Sequence, residues 1–348
     1  MTQAATQGTT QAMRHVLVYD VGGSHVSAAV CAERTYDLRG LSRAPLPAEG
    51  KTDESGAVHS ISAHSFGRLI RTLGDAALRA ANVELREIAG AALAMPGPFD
   101  YENGISRITH KLQALYGVDL KTALAGRFGW EPGRMRFVND AAAFLLGEVG
   151  AGAARGFRKS IGITLGTGIG CAYAADGRIA VPSDQPGGDP GVPPGGEIWN
   201  LPYDGKTVED FVSTRYLRRH YLELTGLEAE VSDVAAIAQC REDAPCPPLE
   251  ETLARQSSGV QTSAGKIAAK AARQAFADFG AHLGGALNQH AAEFKPDVVV
   301  LGGGIARASA LFLPATRKAL RFETEIAISV LMDEAPLAGA GVGWFNAE

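Results

Sequence analysis

Residues 160–180, SIGITLGTGIGCAYAADGRIA, decide the fold. An apolar run breaks at Gly166-Thr167-Gly168 and then resumes, which reads as strand, glycine turn, strand. The same grammar occurs once before, in HVLVYDVGGSHVSAAVCAE at residues 15–33, where Val16 to Tyr19 form a buried β-rich run ahead of Gly22-Gly23. YDVGGSHVSAAV and ITLGTGIGCAYA are therefore two versions of one unit, about 145 residues apart. The repeat is too degenerate for a solenoid. It predicts two related halves facing one another.

Working outward, FGRLIRTLGDAALRAA (66–81) carries apolar residues at helical spacing, IAGAALAMPG (88–97) reads as a strand ending at Pro96, and MRFVND (135–140) is a further strand. A helix follows over 141–155. The second half holds a Gly/Pro-rich loop (183–196) and then PPGGEIWNLPYDGKTVEDFVS (193–213). Helices are predicted at about 208–224, shortly after Ser232, and along an Ala-rich stretch at about 263–293. KPDVVVLGGGIARASALF (295–312) reads strand, glycine turn, helix. IAISVLMDEAP (326–336) supplies a late strand and LAGAGVGWF (337–345) a closing helix. The whole is an α/β protein with mixed sheets.

At 348 residues and 46% hydrophobic, the chain can bury a substantial core and is long enough for two domains. Net charge is −5 and no dense Lys/Arg cluster occurs, which argues against a nucleic-acid or anionic-membrane partner. No apolar run approaches the roughly 20 residues of a membrane span. The polar start MTQAATQGTTQAM has no signal-peptide core, so residues 1–13 are expected to be a disordered tail. The cysteines (Cys31, Cys171, Cys240, Cys246) are scattered, and Cys240 and Cys246 lack a second pair that would complete a zinc site. A reduced, cytoplasmic protein is expected.

Glycine turns after buried strands expose backbone N–H groups, and consecutive N–H groups make a concave anion site. There are three candidates: Gly22-Gly23-Ser24, Gly166-Thr167-Gly168 and Gly302-Gly303-Gly304. Any one alone is most often a structural turn. LGGGIA is no dinucleotide fingerprint, because it lies near the C-terminus without a βαβ continuation and an acidic residue. No Walker A sequence is present. The set is more informative than its members, since two turns carry a hydroxyl (Ser24, Thr167) and Asp20 precedes the first. Asp20 there can hold Mg²⁺ or a water on it, or serve as a turn residue bonding its own backbone.

The ordered set DVGGS, NDAAAF, LGTGIG, GGEI, TVEDFVS and VVVLGGG resembles the ROK (repressor, open reading frame, kinase) family over roughly residues 15–345. The chain is similar to the family's sugar kinases. That resemblance implies a two-domain actin-like ATPase and sugar-kinase (ribonuclease H-like) α/β fold, with a cleft holding ATP–Mg²⁺ and a hexose. The domains would be 14–139 plus 332–348, the smaller, and 140–331, the larger. By the same resemblance Asp20, Gly22, Gly23 and Ser24 form the first phosphate loop and Gly166, Thr167 and Gly168 the second, while Gly302, Gly303 and Gly304 lie against the adenosine. The family's repressors carry an N-terminal DNA-binding winged helix. Only about fourteen polar residues precede the first strand here, which favours the kinase branch.

Asp140 has two readings. It can cap the helix that follows FVND, accepting backbone N–H bonds. The resemblance makes it the base for the sugar hydroxyl, with Asn139 binding a neighbouring hydroxyl. A carboxylate at a helix N-terminus is held in place and ionised, and phosphoryl transfer depends mainly on positioning, so both readings can hold. The resemblance adds Glu197, Glu209 and Gly97 to the sugar side. His110, Lys111 and Gln113 stand where the family's usual pattern is departed from.

Many relatives follow Gly-Glu with Ile-Gly-His and a zinc-binding cysteine loop. Here Glu197-Ile198-Trp199-Asn200 stands instead, with no cysteine between Cys171 and Cys240, so no zinc site is expected. Asn200 takes the histidine's place beside the sugar, and Trp199, Pro202 and Tyr203 stiffen the loop by packing. The implied activity is ATP-dependent phosphorylation of a hexose, glucose foremost, at the 6-hydroxyl. Alternatives are another hexose (mannose, fructose, an N-acyl hexosamine), polyphosphate as donor, or a sugar sensor without turnover. A homodimer is implied by resemblance alone.

Overall fold

The computed structural model describes residues 14–46, 61–109, 112–240, 246, 247, 249, 251 and 263–347. The predicted tail at 1–13 and the pair His110 and Lys111 lie outside the described residues. The chain divides into two compact units: Met1–Ala143 with Pro336–Glu348, and Phe144–Ala335. Each boundary falls four residues beyond the expected one. Asp140–Ala143, the first turn of a helix, stays with the sheet that launches it.

The first unit is built on β1 (His15–Val21), β2 (His25–Ala32), β3 (Leu38–Pro45), α1 (Ala63–Ala81), β4 (Ile88–Met95), the two-residue β5 (Phe99–Asp100) and β6 (Ile105–Ser106), α2 (Leu120–Phe128) and β7 (Met135–Asn139). Its sheet runs β3-β2-β1-β4-β7. Strands β1 and β2 are antiparallel, while β1, β4 and β7 are mutually parallel. Because β1 is central, Val16 to Tyr19 are wholly buried, and the strand reads as a continuous apolar run. β3 lies at the edge and alternates between half-buried and exposed residues. Helix α1 starts where the Ser62 hydroxyl accepts the Ser65 N–H (3.1 Å) and stops at left-handed Asn82.

Helix α3 (Asp140–Ala151) leads into the second unit, which holds β8 (Lys159–Leu165), β9 (Ile169–Ala175), β10 (Arg178–Ile179), β11 (Pro202–Tyr203), β12 (Lys206–Thr207), α4 (Val208–Phe211), α5 (Thr214–Thr225), α6 (Val231–Ala238), α7 (Ser263–His290), β13 (Val298–Gly302), α8 (Ser309–Ala319) and β14 (Glu325–Ile328). The sheet order is β10-β9-β8-β13-β14, with β8, β13 and β14 parallel and β9 and β10 antiparallel additions. This is the order of the first sheet element for element, so the sequence repeat is a repeat of topology. The closing helix α9 (Ala335–Asn346) belongs to the first unit, where Leu337, Ala340 and Trp344 pack on Val16, Val18, Ala29 and Cys31.

The core of the second unit centres on α7, whose Ala268, Ala272, Phe276, Phe279, Leu283 and Leu287 recur at three- and four-residue spacing and are buried. A Cβ on Gly280 or Gly284 would strike Phe312, Thr316 or Ala319 of α8, so these glycines let the two helices approach. One carboxylate, Glu148, is buried in this unit and has no ion pair among the described residues. Glu148 accepts the N–H groups of Ala153 (2.7 Å) and Leu331 (3.3 Å) and the Ser329 hydroxyl, which ties α3 to the segment before α9. Truncating it would strand three donors, at a cost of about 3 kcal/mol.

Two expectations need correction. The single helix at 208–224 is two, because Ser213 is extended (φ −159°, ψ 167°) and its hydroxyl caps Tyr216 N–H. The cysteines are not all free, since Cys240 and Cys246 form a disulfide with Cα atoms 5.6 Å apart. Six residues of separation is adequate for a disulfide, and looking only for metal-ligand spacing overlooked it. Cys31 and Cys171 are buried free thiols, both pushed up in pKa chiefly by burial, Cys31 to about 12.

Candidate active site, unit by unit

Parallel strands gather their carboxyl ends, and loops leaving that edge carry most chemistry in α/β folds. In the first unit β1, β4 and β7 end together: Asp20 pairs with Ala94, and Met95 pairs with Asn139. Asp20 is a half-buried residue of β1 opposite Ser27, not a turn residue. The turn itself is Gly22–Ser24, closed by Gly22 N–H donating to His25 O (3.0 Å), while Leu46 N–H donates to Ser24 O (2.8 Å). Gly22 N–H is thus spent on the turn.

At the end of β7, Asn139 and Asp140 divide the work differently from the sequence expectation. The Asn139 Oδ1 accepts Ala142 N–H (3.0 Å) and is the cap of α3. Asp140 occupies the first helical position, and its Oδ1 accepts Ala141 N–H (2.9 Å). Since the Asn139 oxygen faces a backbone donor, its Nδ2 is fixed on the other side, where it donates to Tyr101 Oη (3.1 Å). The Tyr101 hydroxyl donates in turn to Met95 O (3.2 Å). Gly97, joined to Pro98 by a cis peptide, sits in the same group, and a Cβ on it would lie 3.4 Å from Tyr101 Oη. Gly97, Tyr101, Asn139 and Asp140 therefore form one cluster at the carboxyl edge of β4 and β7. Tyr101 was not foreseen, and only its place four residues after Gly97 could have suggested it.

In the second unit the other two glycine turns share an edge, since β8 and β13 are parallel with Gly302 opposite Thr164. Gly166 N–H is turned inward to Gly168 O (3.0 Å), as in the first turn. The Gly166 carbonyl accepts both the N–H and the hydroxyl of Thr214, each at 2.8 Å. A Cβ on Gly168 would overlap the Glu209 carboxylate, and Glu209 is also paired with Arg215 (2.9 Å). The three glycines of the third turn differ in kind. Gly302 lies under the Phe144 ring, and Gly303 (φ +82°) lies against Leu165, whose carbonyl oxygen would be 2.5 Å from an added Cβ. Beside Gly304 and Gly166 there is open space.

The loop 197–209 closes on itself. Glu209 N–H donates to Trp199 O (3.0 Å), and Val208 N–H donates to Leu201 O (3.1 Å). Trp199 Nε1 donates to Glu197 Oε2 (2.6 Å), and Asn200 is exposed beside it. The Thr207 hydroxyl and amide bind Asp210 Oδ2 and hold its carboxyl below the usual range. The hairpin β11–β12 turns through Asp204 (φ 47°) and Gly205 (φ 76°), both left-handed. Its Tyr203 lies over Gly285 of α7, where a Cβ would collide with the phenol, and Oη meets His282 Nδ1 at 3.3 Å. Gln289 and His290 both reach Pro202 O at 3.0 Å. The Asp-Gly pair signals the hairpin in sequence, and the partners on α7 are signalled by nothing local.

Known proteins fit this frame. The ROK family profile matches residues 64–340. The chain belongs to the ROK family. A glucokinase of Thermotoga maritima is 29% identical over 332 residues, covering 92% of this chain and 94% of that protein. Among solved ROK structures, the ROK hexokinase of Thermus thermophilus superposes with a TM-score of 0.66 at 22% identity, covering 96% of this chain and 99% of the other. A ROK glucokinase of Streptomyces griseus in complex with glucose and AMPPNP gives 0.62 at 19% identity, with 94% and 97% covered. These superpositions bear out the two-unit sugar-kinase fold.

Proposed function

We propose that this ROK protein transfers the γ-phosphoryl group of ATP to the 6-hydroxyl of a hexose, with glucose the first choice. The observation that carries the reading is the cluster at the end of β7. An acidic side chain sits at a helix start, and its neighbouring amide is locked by a cap on one side and a tyrosine on the other. Asp140 takes the proton of the 6-hydroxyl as that oxygen attacks phosphorus, and ADP leaves. Phosphoryl transfer asks little covalent chemistry of the protein, so a carboxylate fixed in position suffices.

Asn139 has one amide hydrogen beyond its bond to Tyr101 and offers it to an adjacent sugar hydroxyl. Glu197, held by the Trp199 indole, accepts further hydroxyls, with Asn200 next to it and Gly97 letting the ring come close. Glu209 reaches the anomeric side of the sugar from its place beside Gly168. The clamp of Tyr203, Gln289 and His290 on the hairpin keeps this loop in shape without a metal.

The turns Gly22–Ser24 and Gly166–Gly168 take the phosphates through Gly23, Ser24, Thr167 and Gly168, with Gly22 and Gly166 shaping the turns through their own internal bonds. The open space beside Gly304 suits the adenosine that Gly302–Gly304 would face. Asp20 has the hard oxygen chemistry that Mg²⁺ selects. Among the described residues no group of three or more acidic, histidine or cysteine side chains could hold an ion unaided, so the remaining ligands would be phosphate oxygens and water. When bound, Mg²⁺ neutralises charge building on the transferring phosphates.

A coupled ADP-release assay across glucose, mannose, fructose and N-acetylated hexosamines tests the proposal with ATP, and formation of the hexose phosphate is measured directly with polyphosphate as a second donor. Sugar-dependent ADP release, fastest with glucose, is expected. Tight sugar binding with no hexose phosphate formed from either donor would instead make the chain a sensor.

A further inference from the structure

The first glycine turn is followed by a histidine whose ring is held in an informative way. The His25 ring lies over Gly22, with Cε1 3.5 Å from where a Cβ on that glycine would stand. Its Nε2 is 2.6 Å from Arg43 Nη2, and its Nδ1 is 3.2 Å from Ser24 Oγ. Arg43 comes from the edge strand β3. It pairs with Ser27 while His25 pairs with Pro45, so the two side chains are diagonal neighbours on one face of the sheet.

An arginine guanidinium is always charged and only donates hydrogen bonds. The His25 Nε2 facing it at 2.6 Å must therefore present a lone pair, so the ring is neutral and its single proton is on Nδ1. That Nδ1–H points at Ser24 Oγ, which accepts it. An oxygen that accepts from one side keeps its own hydrogen for another partner. The chain Arg43 to His25 to Ser24 thus fixes the Ser24 hydroxyl as a donor at the tip of the turn.

We infer that Arg43 and His25 are positioning residues that set the Ser24 hydroxyl to donate to a phosphate oxygen of the nucleotide. The inference rests on the reading of Gly22–Ser24 as a phosphate turn. A hydroxyl engaged as donor to the ring would offer an anion only lone pairs, and one free to rotate would have to be ordered before donating. Arg43 acts through the tautomer and not as a phosphate cation, which makes a sharp expectation: its effect requires Ser24.

The test combines a kinetic cycle with a tautomer measurement. KM for ATP and for the sugar are measured for wild type, Ser24→Ala, Arg43→Ala and the double variant. Ser24→Ala is expected to raise KM for ATP roughly tenfold, the usual scale for one hydrogen bond to a charged group. Arg43→Ala should raise it about three- to tenfold through the same bond, with sugar KM unchanged. In the Ser24→Ala background, Arg43→Ala should do nothing more. Arg43→Lys, which still donates to Nε2, should restore most of the affinity. ¹⁵N NMR of labelled histidine should show His25 protonated on Nδ1 in wild type and shifted toward Nε2–H in Arg43→Ala.

Multiplicative effects in the double variant would overturn the relay and make Arg43 a direct phosphate contact. An Nε2–H tautomer in wild type would overturn it as well. If the tautomer is Nδ1–H but no variant changes ATP affinity while sugar phosphorylation proceeds, the relay does not serve the nucleotide and the inference fails. Absence of ATP binding by wild type would instead remove the phosphate-turn reading, and the inference with it.

Discussion

The carboxyl edges of the two sheets have the same strand order and end in similar glycine turns, yet they are furnished differently. The edge of the first unit ends in acids, Asp20 and Asp140, with an amide–phenol pair beside them. The edge of the second ends in glycines whose backbone is tied down by Thr214 and shadowed by Glu209. The turns themselves are also braced differently. Ser24 is reached by side chains of its own sheet, and Gly166 by the start of a helix outside the sheet. Duplicated topology supplies two places where a loop can meet a phosphate. Both edges have acids at a helix start, but those of α4 are engaged by Arg215 and Thr207. Asp140, by contrast, follows β7 directly at the start of α3, and the proposed reaction assigns the proton chemistry to Asp140.

If that division is right, Asp140→Asn should lower kcat by about 10²–10⁴ while leaving sugar affinity within a few-fold, the usual reach of a general base. Equilibrium sugar titration alongside turnover checks both halves of the statement. Near-normal turnover would remove Asp140 from the mechanism. On the other edge the largest effect should be on stability. Gly303→Ala forces a side chain onto a left-handed backbone against Leu165 and should cost about 3 kcal/mol in urea unfolding. Gly166→Ala meets open space and should cost under about 1 kcal/mol while weakening ATP binding. Equal costs at the two positions would mean that the turns are alike after all.

A smaller effect is expected at Gly168, where an alanine must displace the Glu209 carboxylate. A roughly fivefold rise in sugar KM is expected, on the scale of one weakened hydrogen bond. A change in ATP KM alone would make Glu209 a brace of the phosphate turn. The smallest effect concerns pH. Burial is the main cause holding His282 below its ordinary value of 6.5, against opposing pulls from Asp204 and Asp278. With a lowered folded pKa, the unfolded chain binds the proton first as pH falls. The stabilisation is therefore complete above 6.5 and lost below it. Melting temperature should drop on acidification from pH 7.5 to 5.5, and His282→Gln should flatten that slope.

Much of this was legible in the chain. The repeat of strand, glycine turn and strand gave both sheets, because central strands buried on two faces read as unbroken apolar runs. Asp20, Asn139 and Asp140 lie at strand ends as expected, since they follow those runs directly. β3 was missed. It is an edge strand with Arg39, Gly40, Ser42 and Arg43, and half of its residues face outward. With it went the Arg43 contact. Helix α2 was missed because its nine residues show little amphipathic contrast, and what starts it is the single cap Asp119. The pairings of Tyr203 with Gly285 and Thr214 with Gly166 join residues far apart in sequence, and no local pattern announces them. Asn139, not Asp140, proved to be the cap because the strand runs one residue less far than the acid.

The proposed reaction transfers a phosphoryl group from ATP to a primary hexose hydroxyl. ³¹P NMR of the product from glucose, ATP and Mg²⁺ tests it most directly. The expected product is a phosphate ester coupled to two methylene protons, growing in step with ADP and nearly abolished by Asp140→Asn. A signal coupled to one anomeric proton, or ADP accompanied only by inorganic phosphate, would contradict it.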